Sequence, residues 1–428
     1  MQTRPARPAR RPVASAAVRR LLDRLFPPRL GPGFRWLLGS SWTSNLGDGI
    51  TLAAGPLLVA SLTDDPFLIS LAALLTWAPP LLFGLWAGVL SDRLDRRRIV
   101  LAANAVRAAV LLALVGTLLA GVLPVAGALA ALGLVATAEV FADNASATLA
   151  PMLVRRDDLA VANARIQTGL ITLNQLVGPP IGAAIFAAGA ALPFAAEVVL
   201  LAAGALMLSR LRLPAHGRPP GTSGSVRRDI AQGVRWTVRH PAVRTLVLTI
   251  LIFNVTYGAA WSVLVLYART RLGLGAVGFG LLTTAAALGG LLGTALYGTL
   301  TRLASLGDIM RVGLVIETLT HLALALTRSA WLAMSVFFVF GVHAFVWHTT
   351  STTVRQRAVP QELQGRVGSV NVIAVFGGLV AGSAIGGALA SRYGVTAPFW
   401  FAFGGSVLFL ALLWRELSRI AHQDPEPA

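Results

Sequence analysis

The sequence predicts an all-α integral membrane protein whose twelve transmembrane helices form two pseudo-symmetric six-helix bundles. Three observations predict it. Hydrophobic residues make up 55% of the 428-residue chain and charged residues only 13%, against roughly 25% charged in a soluble domain. Apolar segments of about 20 residues, long enough to cross a bilayer, recur twelve times. A polar stretch then separates them into six and six.

The first six segments lie near 34–60, 67–90, 98–121, 124–150, 163–188 and 191–213. The second six lie near 244–268, 277–300, 309–327, 330–352, 368–390 and 395–415. In hydrocarbon each must be helical, because a helix satisfies its backbone hydrogen bonds within one segment. The expected organisation is a basic tail (1–33), a bundle (34–213), a linker (214–243), a second bundle (244–415) and a tail (416–428). Ile230, Val234 and Val238 recur at helical spacing among the arginines of Ser225–Arg239, and Val18, Leu21, Leu22, Leu25 and Phe26 do the same over 14–26. Both stretches read as amphipathic helices on the inner membrane surface. Residues Met1 to Gly33 lack the long apolar core of a cleavable leader, so the first span is expected to be retained.

Charge placement gives the orientation. All 36 basic residues are arginine, and 31 fall in the tails and even-numbered loops or at their edges. Arg269, Arg271, Arg328 and Arg392 fall on the other side, with the Thr63-Asp64-Asp65-Pro66 loop, and Arg107 lies inside a span. This is the positive-inside bias, and it puts both termini in the cytoplasm and the chain in the cell inner membrane. It also accounts for the net charge of +18 without nucleic acid. The absence of lysine removes a Walker-type phosphate-binding lysine and a Schiff base. The absence of cysteine removes disulfides, thiolate nucleophiles and iron–sulfur ligands. Six scattered histidines suggest no metal site. No cofactor is expected, and neither is an ATP-driven pump with its own nucleotide site.

Ionisable groups in hydrocarbon are costly and mark functional candidates. Ser41, Asn45 and Asp48 share one face of the first helix, and Glu139 and Asp143 one face of the fourth, with Asn144 beside them. Asn254, Tyr257 and Trp261 stripe the seventh, and His343 and Trp347 the tenth, with His348 adjacent. If each half is a pair of three-helix units, these helices are the first members of the four units, and their stripes can then line one central cavity. Isolated interhelical hydrogen bonds are the competing reading; it suits the seventh-helix stripe equally well and the rarer carboxyls less well. Carboxyls shielded from water can exchange protons near neutrality, which makes Asp48, Glu139 and Asp143 the proton-coupling candidates. Asp48 lies about 20 Å along its helix from Phe34 and Asp143 about 10 Å from the inner end of its own, by ~1.5 Å per residue. Asp48 therefore ranks first and Glu139 second. Arg107, at a depth like that of Asp143, is expected to pair with a carboxylate there. Glu317 and His321 are spaced to pair locally, and Glu197, near the outer end of its helix, is expected to reach water.

The loop between the second and third segments packs four arginines and two aspartates into Asp92–Arg98. With Gly88 and Leu90 it makes the pattern G-x-L-x-D-R-x-x-R-R, which resembles the same loop in major facilitator superfamily transporters. A shift of 210 residues lays Gly88 and Leu90 on Gly298 and Leu300, as in a duplicated transporter half with its site at the bundle interface. Ala150-Pro151-Met152-Leu153-Val154 with Ala162-Asn163, Tyr267-Ala268-Arg269 with Leu272-Gly273, and Gly365-Arg366-Val367 extend the likeness over about residues 34–415. They are similar to macrolide-efflux and enterobactin-exporter proteins.

The resemblance implies alternating access and no enzyme chemistry. It implies that Gly88, Asp92, Arg93, Arg96 and Arg97 form a conformational gate, in which Asp92 and Arg93 stabilise the outward-facing state. Asp95 replaces the glycine common in that loop. Asn174, Gly178, Pro179 and Gly182 partly match the superfamily's antiporter signature, with Asn174 where that signature has glycine; close helix packing and a proline bend explain them as well. Gly378, Gly382 and Gly386 give a comparable face in the eleventh segment.

The leading expectation is a monomeric, proton-coupled antiporter that exports amphipathic organic compounds such as drugs or siderophores. Asn45, Asn254, Tyr257, Trp261, His343 and Trp347 are its expected cavity residues. An importer or lipid transporter of the same fold is the alternative within the class. A membrane-embedded lipid-modifying enzyme, for which only His343, His348 and Ser351 come near a reactive constellation, and a non-transporting sensor are the alternatives outside it.

Overall fold

A computed structural model gives the structure of the protein and describes residues 28–211 and 226–420. Spans 1 to 6 are Gly31–Leu62, Pro66–Ser91, Arg96–Leu119, Val125–Leu153, Arg156–Ala188 and Leu192–Ser209. Spans 7 to 12 are Val243–Thr270, Ala276–Leu303, Leu306–Leu326, Ala330–Ala358, Gln361–Tyr393 and Ala397–Trp414. Every expected segment is present. The expected surface helix over 14–26 and the linker residues before Val226 lie outside the described residues.

Local chemistry sets the ends of the spans. Asp65, Asp95, Ser305 and Ser329 cap the helices of spans 2, 3, 9 and 10, each side chain accepting from a backbone N–H two or three residues on. Such caps satisfy donors that a helix start leaves free. Asp95 thus has a defined role: its carboxylate accepts from Arg98 N at 3.1 Å, so aspartate in the glycine position starts the next helix without strain. Gly394, at φ +89°, ends the span 11 helix in a backbone shape that other residues rarely adopt.

The linker ends in the helix Val226–Arg239. A side chain at Gly233 would strike the Arg366 carbonyl, so this helix lies directly on the start of span 11. Val234 and Val238 stay exposed, leaving the apolar stripe free to meet a membrane surface.

Span 5 is not a uniform helix. Its middle, Leu170–Val177, is π-helical, a widened turn that redirects side chains. The irregularity therefore begins ahead of Pro179 instead of at it.

The apolar core shows how the two halves meet. Near the Asp64 loop, one cluster joins Leu57, Ala60 and Ile69 of the first half to Ala260, Leu264 and Tyr267 of the second. On the face that carries the linker, the buried clusters are separate, one around Phe34 and Leu149, the other around Val243 and Met310. Arg269 spans the joined face: Nη1 donates to the Ala60 carbonyl at 2.8 Å, and Nη2 pairs with Asp64. The molecule is closed at the Asp64 face and divided at the linker face.

Candidate functional site

The divided interior holds a cavity of about 410 Å3 lined by Asp48, Glu139, Asp143, Arg107, Glu197, Asn174 and Gln175, with Trp77 and, from the second half, Phe376. Asp48, Glu139 and Asp143 are brought together, as their stripes suggested. Arg107 is buried at 1% exposure and pairs with Asp48 and with Glu197, the latter at 2.7 Å. The expected pairing of Arg107 with a carboxylate is present, to Asp48 and Glu197. One expectation is corrected here. Glu197 does not reach water: it is 0% exposed and also accepts a hydrogen bond from Thr51. Depth along a helix says nothing about which way a side chain turns, and Glu197 turns inward, over Gly47. A Cβ at Gly47 would lie 3.2 Å from Glu197 Cγ.

The signature-like residues of span 5 hold this site together. Cβ atoms at Gly178 and Gly182 would strike the backbone of Gly49 and Ile50, and one at Gly49 would lie 2.8 Å from Asn174 Cα. Spans 1 and 5 thus touch backbone to backbone at the residues following Asp48, and Pro179 is buried beside that contact. The π-helical turn carries Asn174 and Gln175 to the cavity wall. Asn45 is elsewhere: its amide donates to the Ser41 carbonyl of its own helix at 2.8 Å.

In the second half the candidates form an aromatic wall. Tyr257 lines a further cavity of about 220 Å3 together with Phe340 and Gln175. Its ring stacks on Trp261 at 4.4 Å, and Phe253 stacks on Trp347 at 6.1 Å. His343 and Trp347 are buried behind this surface. Asn254 donates to the Ile250 carbonyl at 2.7 Å and lies against Gly378 of span 11. Gly382 and Gly386 continue that close approach, meeting Val255 and Ala259. Glu317 and His321 do pair, at 2.9 Å.

In the loop after span 2, Arg96 is buried, donating to the Ser91 carbonyl at 3.2 Å and reaching the Thr148 carbonyl. Arg97 donates to the Ser209 carbonyl. Cations at the carbonyl ends of spans 4 and 6 meet the negative ends of those helices. Arg93 is exposed, Gly88 has open space around it, and the side chain of Asp92 lies outside the described residues.

Twelve spans in two bundles around an intramembrane polar cavity define a membrane transporter. The chain belongs to the transmembrane secretion effector family of the major facilitator superfamily, whose family model matches residues 26–426. It is 29% identical over 411 residues to the multidrug efflux pump Tap of Mycolicibacterium fortuitum, covering 91% of this chain and 96% of that one. It is 26% identical over 406 residues to the enterobactin exporter EntS of Citrobacter koseri, covering 92% and 95%. In fold it is similar to the nucleoside transporter NupG, with TM-score 0.70 and 12% identity over 91% of this chain and 100% of that one. A bacterial homologue of ferroportin in an inward-facing state gives TM-score 0.69 and 17% identity over 91% and 99%. The relatives and neighbours are transporters, not enzymes.

Proposed function

We propose that this transporter is a proton-coupled antiporter that exports amphipathic organic compounds, of the size of drugs or siderophores, and works as a monomer. The observation that carries the reading is the cavity in which four carboxyls, Asp48, Glu139, Asp143 and Glu197, share the single cation Arg107. One guanidinium cannot balance four carboxylates away from water, where unpaired charge is costly. The site therefore holds protons or a cationic ligand, and exchange of one for the other is antiport. Asp48 is the coupling residue in this reading, because a proton on it breaks its pair with Arg107 while Glu197 keeps the arginine in place. Glu139 and Asp143 face the same space and contact the ligand. Trp77 and Phe376 supply its apolar side and link the two halves across the cavity, with ring centroids 6.2 Å apart.

The arginine bias makes the linker face cytoplasmic, so the molecule described is inward-facing, with both termini on the cytoplasmic side of the cell inner membrane. The names of the relatives, a multidrug efflux pump and an enterobactin exporter, support export and both candidate ligand classes. The test is efflux of ethidium, a cationic probe, from vesicles of known orientation under an imposed pH gradient. Asp48→Asn is expected to abolish gradient-driven flux while leaving ligand binding detectable. Flux at the unsubstituted level in that variant sinks the coupling assignment, and gradient-independent flux in the unsubstituted protein sinks antiport.

A further inference from the structure

A second cluster of ionisable groups lies in the other half, outside the acidic cavity. Glu317 on span 9 is 1% exposed and sits between two imidazoles. His321 Nε2 lies 2.9 Å from Glu317 Oε1, and His343 Nε2, from span 10, lies 3.5 Å from Glu317 Oε2. Glu317 Oε2, His343 Nε2 and His321 Nδ1 are all buried without a hydrogen-bond partner. Native proteins satisfy nearly all such atoms, so three in one cluster call for an explanation.

Charge counting supplies one. A carboxylate with two neutral imidazoles leaves a net negative charge in a site closed to water. One added proton neutralises the cluster and turns the unfilled gap between Glu317 Oε2 and His343 Nε2 into a charge-assisted hydrogen bond. The remaining groups nearby do not perform this neutralisation. Tyr257 faces the carboxyl from span 7, but as a phenol it brings no positive charge. Spans 8 and 12 carry no titratable residue before Tyr297 and Arg415 respectively. Arg311, toward the linker end of span 9, is engaged by the Trp414 carbonyl at 2.8 Å and by Asp308.

We infer that Glu317, His321 and His343 form a second proton-binding site, separate from the carboxylates of the first half, whose occupancy sets the packing of the aromatic wall. The His343 ring is enclosed by that wall, with centroids 6.4 Å from Phe253, 6.1 Å from Phe340 and 6.0 Å from Trp347. Trp261 meets His321 edge-on at 6.1 Å. The absence of a Cβ at Gly313 leaves His343 its place, since one there would lie 2.9 Å from the imidazole. Drawing His343 onto Glu317 shifts rings that stack directly on Tyr257 and so reshapes the second cavity.

The test reads protonation, not flux, and so stands apart from the export reading. The full chain, labelled with isotopic histidine, is placed in lipid vesicles and followed by solid-state NMR between about pH 5 and 8. His321 and His343 are assigned by the signals missing from His321→Gln and His343→Gln. The expected result is one imidazolium signal within this pair that is lost in Glu317→Gln and unchanged in Asp48→Asn. Two neutral imidazoles throughout the range in the unsubstituted protein overturn the inference, whether or not Glu317→Gln folds. An imidazolium that disappears in Asp48→Asn also overturns it, because the two sites would then be one.

Discussion

The two halves bury ionisable groups in opposite arrangements. In the first half a cation is central: Arg107 stands between Asp48 and Glu197. In the second an anion is central: Glu317 stands between His321 and His343. A guanidinium keeps its charge in any protein setting, whereas imidazoles change theirs near neutral pH. In the first half, then, only the carboxyls can take up a proton, and they face a cavity that a ligand can enter. In the second half every member can change its charge, but the cluster is sealed behind aromatic rings. The first arrangement suits exchange of protons against a ligand, and the second suits control of shape.

The comparison breaks hardest at Arg107. Removing one partner of a buried ion pair costs about 3–5 kcal/mol, because the other charge is left uncompensated. Arg107→Ala strands two carboxylates at once, so it is expected to fall at or beyond that range, with loss of folded protein in a detergent thermal-unfolding assay. His343→Gln keeps a hydrogen-bonding group beside Glu317 and strands nothing permanently charged, so it is expected to lose far less. Equal losses in the two variants would erase the distinction between a fixed and a switchable centre. Arg107→Ala combined with Asp48→Asn and Glu197→Gln is expected to recover part of the stability, since neither direct partner of Arg107 is left charged, while Glu139 and Asp143 still lack a cation.

The next effect separates packing from charge. Gly178→Val forces a side chain into the backbone of Gly49, and overpacking of this kind costs roughly 1–3 kcal/mol. Gly382→Val forces one into Val255 in the other half and is expected to cost a similar amount. The functional consequences should differ. The Gly178 change pushes span 1 away at the residue after Asp48 and is expected to impair gradient-driven flux in whatever protein still folds. The Gly382 change lies behind the aromatic wall and is expected to alter ligand affinity first. Flux assays at matched amounts of folded protein decide this.

Legibility followed the same divide. The twelve spans, the linker helix and the meeting of Asp48, Glu139 and Asp143 were readable, because hydrophobic runs and helical spacing encode them directly. Glu197 lies near the end of its helix, but its orientation depends on Gly47 and Arg107 in other helices, which distance along span 6 does not encode. The partners of Arg107 lie on spans 1 and 6, and pairing between spans is a tertiary fact that spacing within one span does not hold. Asn45 and Asn254 sat on the expected faces, but each bonds to its own helix backbone, an option that short polar side chains always have. The tenth-segment stripe marks His343, yet its pairing with Glu317 depends on the packing of span 10 on span 9. The signal was there in Glu317 and His321, four residues apart within a span.

The smallest effect concerns how the halves are held together. Arg269 reaches from span 7 to the Ala60 carbonyl and Asp64 at the closed face, but its side chain is 43% exposed and that of Asp64 is 89%. Exposed pairs contribute only about 0–1 kcal/mol. Arg269→Ala should therefore leave the fold intact and move a two-state balance by no more than about fivefold. The direction is set, since the contact requires the Asp64 face to be closed: its loss favours the state in which that face opens. The absence of native cysteine makes this measurable. A single cysteine in place of Ala260, buried in the joined core, is expected to react faster with a water-soluble maleimide when Arg269 is alanine. An unchanged or slower rate would show that the shared apolar core alone holds the face shut.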